Sequence, residues 1–267
     1  MMYLQVACGF ADKWNFQHAC GAVDGKHVRI KKPSKSGSLF YNYKGFFSIV
    51  LMAMCDADYK FIWVDVGSYG AESDAGVFNR SSLNALIERD GLEFPPPEPL
   101  PLTDNAGPDI DYFFISDDAF ALKSWNMKPH SKRELLHEEM IFNYRLSRAR
   151  RVIENAFGIM AHRWRCLLTT MQQHQETVTD IVSATVCLHN LMRTRYPGLQ
   201  NQDLDREDKD HVLIPGDWRV EGPVLANLQM ARHGGGRLND LAKQQRLYLS
   251  QYYCTGPGQV PWQEAHI

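Results

Sequence analysis

No run of about 18 apolar residues occurs in this chain of 267, so no helix of it is expected to cross a membrane. The first residues, MMYLQVACGFADKW, lack a basic stretch followed by a sustained apolar one. A secretory signal is therefore not expected, which leaves the cytosol or nucleus. Six cysteines (Cys8, Cys20, Cys55, Cys166, Cys187 and Cys254) show no CxxC pair and no zinc-ligand spacing, which favours free thiols in a reducing compartment. No internal repeat is evident, which argues against solenoids and propellers. Nor does one sign of charge dominate: the net charge is −2, and taken whole that argues against a nucleic-acid binder.

The distribution of charge says otherwise. Residues 23–45 carry six Lys/Arg against the single acid Asp24, and residues 123–165 carry ten against four. Between them, Glu88 to Asp118 holds nine acids against Arg89 alone. A near-neutral total can hide a basic face suited to phosphates.

With 44% hydrophobic and 22% charged residues, the composition is that of a globular protein with one large domain plus appendages. Residues 1–20 read as the remnant of a helical segment. Gly21 to Ile30 predicts a short strand, Lys31 to Lys44 a basic loop, and Phe46 to Cys55 a strand buried on both faces. Phe61 to Gly67 completes a hairpin. Ser73 or Asp74 can cap a helix running to about Arg89, the six prolines of 92–108 mark a loop, and Tyr112 to Ser116 is a fourth strand. From Phe142 to Arg165, the residues Leu146, Ala149, Ile153, Ala156, Met160 and Trp164 recur at three- and four-residue steps, predicting a long amphipathic helix. Val178 to Arg195 predicts a second. Composition gives a main domain at 21–195, a mobile linker at 196–236 and a tail at 237–267, with Trp262 pinning the tail to the body.

Three acids stand at telling points of this order: Asp24 on the first strand, Asp117 at the end of the fourth, and Glu154 on the long helix. Each has an ordinary alternative: a turn at Asp24-Gly25, a helix cap at Asp117, and an ion pair between Glu154 and Arg150 or Arg151. In a mixed sheet with a helix packed on it, the three would converge and repel one another, and hard divalent cations relieve such crowding. Two Mg²⁺ or Mn²⁺ ions would then support phosphodiester hydrolysis or strand transfer.

The segments GAVDGKHV, YNYKGFFSIVLMAMCDAD, GAESDAGVF, ISDDAFAL, WNMKP, FNYRLSRARRVIENAFGIMAHRWR and CLHNL together resemble the DDE domain of the Harbinger transposase-derived nucleases, within the PIF/Harbinger transposases. The resemblance covers about residues 10–195, and GQVPWQ resembles the family's tail. It implies an α/β, ribonuclease H-like mixed sheet flanked by helices, divalent-metal catalysis, a DNA substrate and a nuclear site of action. By position, Asp24 matches the first acid, Asp117 the second and Glu154 the last, 37 residues after Asp117. Asp74 matches a further family acid and is the runner-up metal ligand. Ser116 and Asp118 depart from the usual neighbours of the second acid, and Asp118 is expected to be the cap there.

Lys26, Lys44, Arg145, Arg148 and Arg151 are the candidates for the DNA backbone. His27 is expected at the surface and His189 in the core. The family's transposases carry a helical segment ahead of the first acid, so sequence-specific docking is expected to be absent from this chain or supplied by a Myb/SANT-like partner. A homo-oligomer is compatible with the same pattern. The alternatives to an endonuclease are a domesticated DNA- or chromatin-binding module and an inactive transposon relic.

Overall fold

The computed structural model describes residues 2–89, 91–102, 107–200, 203–220, 222–228 and 240–267. Helix α1 (Met2–Trp14) precedes three antiparallel strands, β1 (Ala19–Arg29), β2 (Ser48–Cys55) and β3 (Phe61–Tyr69). Two short helices, α2 (Asp74–Arg80) and α3 (Ser82–Ile87), lead to β4 (Phe113–Ile115) and β5 (Asn126–Met127). The long α4 (His137–Arg163) and α5 (Gln175–Arg195) follow. Then come β6 (Arg206–Glu207), β7 (Leu213–Ile214), the helical turn α6 (Asp217–Val220), β8 (Ala226–Asn227) and α7 (Asp240–Tyr253).

The sheet runs β3-β2-β1-β4-β5, with β4 and β5 parallel to their neighbours and β8 paired to β1 at Lys26 and His27. Strand β1 is therefore central. Both faces of β2 are covered, which explains its unbroken apolar run. Ile49, Leu51, Ala53 and Cys55 share a core with Leu146, Ala149, Ile153, Ala156 and Met160 of α4. Val50, Met52 and Met54 face the other way, onto Val77, Phe78 and Phe114. The helical stripe expected between Phe142 and Arg165 is thus the core face of α4, with Trp164 at its C-cap.

Three expectations change in detail. The single helix expected from Ser73 to Arg89 is broken at Ser81. There the backbone N–H closes α2 onto Phe78, while the hydroxyl accepts from Asn84 N–H to start α3. A serine side chain offers the backbone this alternative to a continuous helix. Within the stretch expected as a linker, residues 203–220 and 222–228 carry two strand pairings and α6. Two of its acids are engaged rather than solvated: Asp205 accepts from Gly216 N–H and Arg219, and Glu207 accepts from Arg148. Residues 229–236 of that stretch lie outside the described residues. Third, Arg145 is only 1% exposed, enclosed by the turn after α1, the C-terminal tail and Tyr253.

At the ends, α1 packs Tyr3, Val6, Phe10 and Trp14 onto the body, and Trp262 stacks on His211 with ring centroids 3.6 Å apart. Among the described residues no helix is long and apolar enough to cross a membrane.

Candidate functional site

Strand β1 alternates its faces, so Ala22 and Val28 join the core beneath α4, and Asp24 and Lys26 fall on the same side. On α4, Arg150, Glu154, Phe157, Gly158 and Ala161 follow at helical spacing and look back at them. The loop after β4 delivers Asp117. These residues line one pocket of about 230 Å³, so the three acids expected to converge share one cleft.

Each carboxylate is held differently. Asp24 is 5% exposed; its Oδ1 accepts from Gly25 N–H at 2.8 Å and its Oδ2 pairs with Lys26 Nζ at 2.7 Å. Asp117 Oδ1 accepts from Ala119 N–H at 2.9 Å within a turn; no helix starts there, so the cap expected of Asp118 has no helix to close, and Asp118 pairs with Lys128 instead. Burial and the neighbouring Asp24 push the Asp117 carboxyl above its ordinary range, only partly offset by that hydrogen bond and by Arg150. Glu154 has both oxygens taken, Oε1 by Arg150 at 2.7 Å and Oε2 by Arg219 at 2.9 Å. Burial alone would raise its pKa, but the two guanidiniums outweigh burial and hold it below the usual value.

Arg150 completes the balance. Burial works against its charge, yet Glu154, Asp24 and Asp117 together hold it more firmly protonated. Three acids thus surround one guanidinium, with Lys26 and Arg219 at the flanks.

Asp74 does not line the pocket. Its 2% exposed carboxyl lies against Gly25, where a Cβ would come within 2.7 Å of Asp74 Oδ1, so only glycine leaves room for it. Burial first, then Asp24 and Asp117, push its pKa up to about 9, and among the described residues Oδ1 has no hydrogen-bond partner. Folded Asp74 therefore keeps its proton at neutral pH where the unfolded chain gives it up, and its contribution to stability falls as pH rises from about 4 towards 9. Asp74→Asn is expected to raise the melting temperature at pH 8 by the equivalent of ~1–3 kcal/mol, with little gain at pH 4.5, in paired thermal melts.

The expected DNA-facing cations divide. Lys44 is exposed, on the loop between β1 and β2. Lys26 is buried at the pocket between Asp24 and Asn227. Arg145 and Arg148 are interior and do not reach a surface phosphate. Arg145 donates to Gly258 O, Gln263 Oε1 and Asn15 O, and Arg148 forks onto Glu207 while donating to Trp14 O. Arg151 also pairs with Glu207. Helical charge without burial information suggested a basic face; enclosure of α4 by α1, α7 and the tail takes Arg145 and Arg148 out of it, while Lys132, Arg133, Arg163 and Arg165 stay exposed. His27, expected outside, is 2% exposed and shares a hydrogen bond with Ser48, whereas His189 is the expected core histidine, bonded to Tyr59 O at 2.7 Å.

Two cations outside the expected site residues matter most. Arg150 was visible only as the partner of Glu154 one helical turn away. Arg219, 65 residues from Glu154, left no periodic signal at all.

A family model described as DDE superfamily endonuclease matches residues 23–190. Among curated proteins, HARBI1 of Homo sapiens, provisionally named a nuclease, is 29% identical over 174 residues, covering 64% of this chain and 45% of that protein. The ALP1-like protein of Arabidopsis thaliana is 26% identical over 178 residues, 66% of this chain and 43% of the relative. The chain thus spans about half the length of the relatives it matches. No solved structure matches it.

Proposed function

The chain belongs to the family of DDE superfamily endonucleases, and on that premise we propose that it cleaves DNA phosphodiester bonds with divalent metal on a ribonuclease H-like sheet. One observation carries this proposal: Asp24, Asp117 and Glu154 reach a single pocket from a central strand, the loop after its parallel neighbour and a long helix.

The donor set fits Mg²⁺ or Mn²⁺ in kind. It consists of hard carboxylate oxygens, buried and then crowded enough that Asp117 and Asp74 bind protons more readily than usual. Among the described residues no group of three His, Cys, Asp or Glu forms a ready-made cage. Lys26, Arg150 and Arg219 pair with these acids instead. Asp24, Asp117 and Glu154 would hold the metal, with Asp74 the runner-up. When bound, two such ions supply an activated water or 3′-hydroxyl and positive charge for the leaving oxygen.

The protein's own side chains do the rest. Gly25 N–H and the tight packing around β1 fix the orientation of Asp24. Arg150 keeps Glu154 ionised and turned to the pocket. Phe157 and Leu225 line the pocket with apolar surface. Lys26 and Arg150 meet a phosphate with positive charge. A Myb/SANT-like docking partner and action in the nucleus belong to the same proposal.

The test is nicking of supercoiled plasmid at low salt, where phosphate-driven binding is strongest. Cutting is expected with Mg²⁺ or Mn²⁺ and should vanish on chelation. Cutting that ignores the chelator, or no cutting with either metal by the wild type and by variants loosened over the pocket, defeats the proposal. One observation favours a second reading, a DNA-binding module without turnover: both oxygens of Glu154 are already satisfied by arginine. That reading expects plasmid binding unchanged by metal and no cutting.

A further inference from the structure

The segment after α5 folds over the pocket, held by paired polar contacts. Asn155 of α4, fully buried, accepts at Oδ1 from both Asp205 N–H and Trp218 Nε1–H, each at 2.9 Å. The Trp218 ring lies so close over Gly158 that a Cβ there would fall among its atoms. Asp205, its side chain inaccessible, accepts from Gly216 N–H and from Arg219, and Arg219 Nη2 reaches on to Glu154 Oε2 at 2.9 Å. Further along, β8 pairs with β1, and Asn227 Oδ1 accepts from Lys26 Nζ, whose other partner is Asp24.

Two features of this segment point the same way. It places Arg219 on Glu154, and through Asn227 it steadies Lys26, the β1 cation paired with Asp24, so it loads a cation onto one of the three acids and braces the cation on a second. It also supplies the pocket wall through Trp218 and Leu225. A metal ion and this segment therefore compete directly for Glu154 Oε2, and through Lys26 for Asp24.

We propose that residues 203–220 and 222–228 form an autoinhibitory strap, closed over the acids in the resting protein and displaced when divalent metal takes Asp24 and Glu154. This rests on the metal-dependent reading above. Competition for shared ligands makes the two events mutually unfavourable: whatever opens the strap tightens metal binding, and metal loosens the strap by the same factor.

Two variants open the strap by different means. Gly158→Ala wedges a methyl under Trp218 and alters no charge; Arg219→Gln removes the guanidinium from Glu154. The experiment measures Mn²⁺ affinity by calorimetry, trypsin cleavage within 203–228 with and without Mn²⁺, and plasmid nicking. Both variants should bind Mn²⁺ about tenfold or more tighter than wild type and nick faster, and Mn²⁺ should speed cleavage of the wild-type strap. Wild type that nicks with Mn²⁺ while both variants bind it equally or more weakly overturns the strap and leaves the nuclease proposal standing. Mn²⁺ that protects the strap from trypsin also overturns it. Absence of Mn²⁺ binding in all three proteins overturns both. Variants that bind and cut while wild type stays silent support both.

Discussion

Asp24→Asn and Glu154→Gln should each lower Mn²⁺-dependent plasmid nicking by a hundredfold or more, the scale on which a group acting on developing charge is felt, while plasmid binding persists. The two losses differ in what accompanies them. Asp24 sits on a strand paired on both sides, and the neutral amide leaves Lys26 without its ion pair at a nearly inaccessible site. Some loss of stability is expected with that variant, so circular dichroism must show it folded. Glu154 is more open, with 26% of its side chain exposed, and its replacement frees Arg150 and Arg219 instead. Faster proteolysis of the strap should therefore accompany the Glu154→Gln loss and not the Asp24→Asn loss. Nicking rates of the folded variants within threefold of wild type would remove these carboxylates from the reaction.

Arg145→Met should cost ~3 kcal/mol or more, read as a lowered urea midpoint with nearly unchanged slope. The guanidinium is 1% exposed, lies 4.5 Å from the Tyr253 ring centre and donates to Gly258 O, Gln263 Oε1 and Asn15 O. Burial lowers its pKa, yet the aromatic ring and the ring of acceptors stabilise the cation where it is. Methionine fills much of the volume and takes the donor from buried Gly258 O and part-buried Asn15 O, leaving Gln263 Oε1 only the Val260 N–H; an acceptor left unmade is the expensive half of losing a hydrogen bond. Arg145→Lys should recover only part of the loss, because one ammonium cannot reproduce a planar fork. A midpoint unchanged in Arg145→Met would mean that the tail and the turn at Asn15 contribute nothing through this residue.

The contrast between these residues shows what a linear chain reveals. Strand β2 and the core stripe of α4 were legible because burial on a regular element leaves a period. Asp24, Asp117 and Glu154 could be brought together from element order, since a sheet with a helix laid on it admits few arrangements. Arg145 and Arg148 were read as outward because charge usually marks solvent, but backbone carbonyls and Glu207 give them interior partners that no spacing advertises. The strap was opaque for a related reason. Its contacts join Asp205 to Asn155 and Arg219 to Glu154 across 50 and 65 residues, so its acids and glycines read locally as solvated chain.

The tail has a consequence for inheritance. The family model matches residues 23–190, but Phe16 and Phe142 pack against Tyr253, and one guanidinium ties Asn15 to Gln263. The matched segment is therefore smaller than what folds as a unit. Transplanting the matched segment alone would carry the acids away from the two flanks that keep their supporting helix dry.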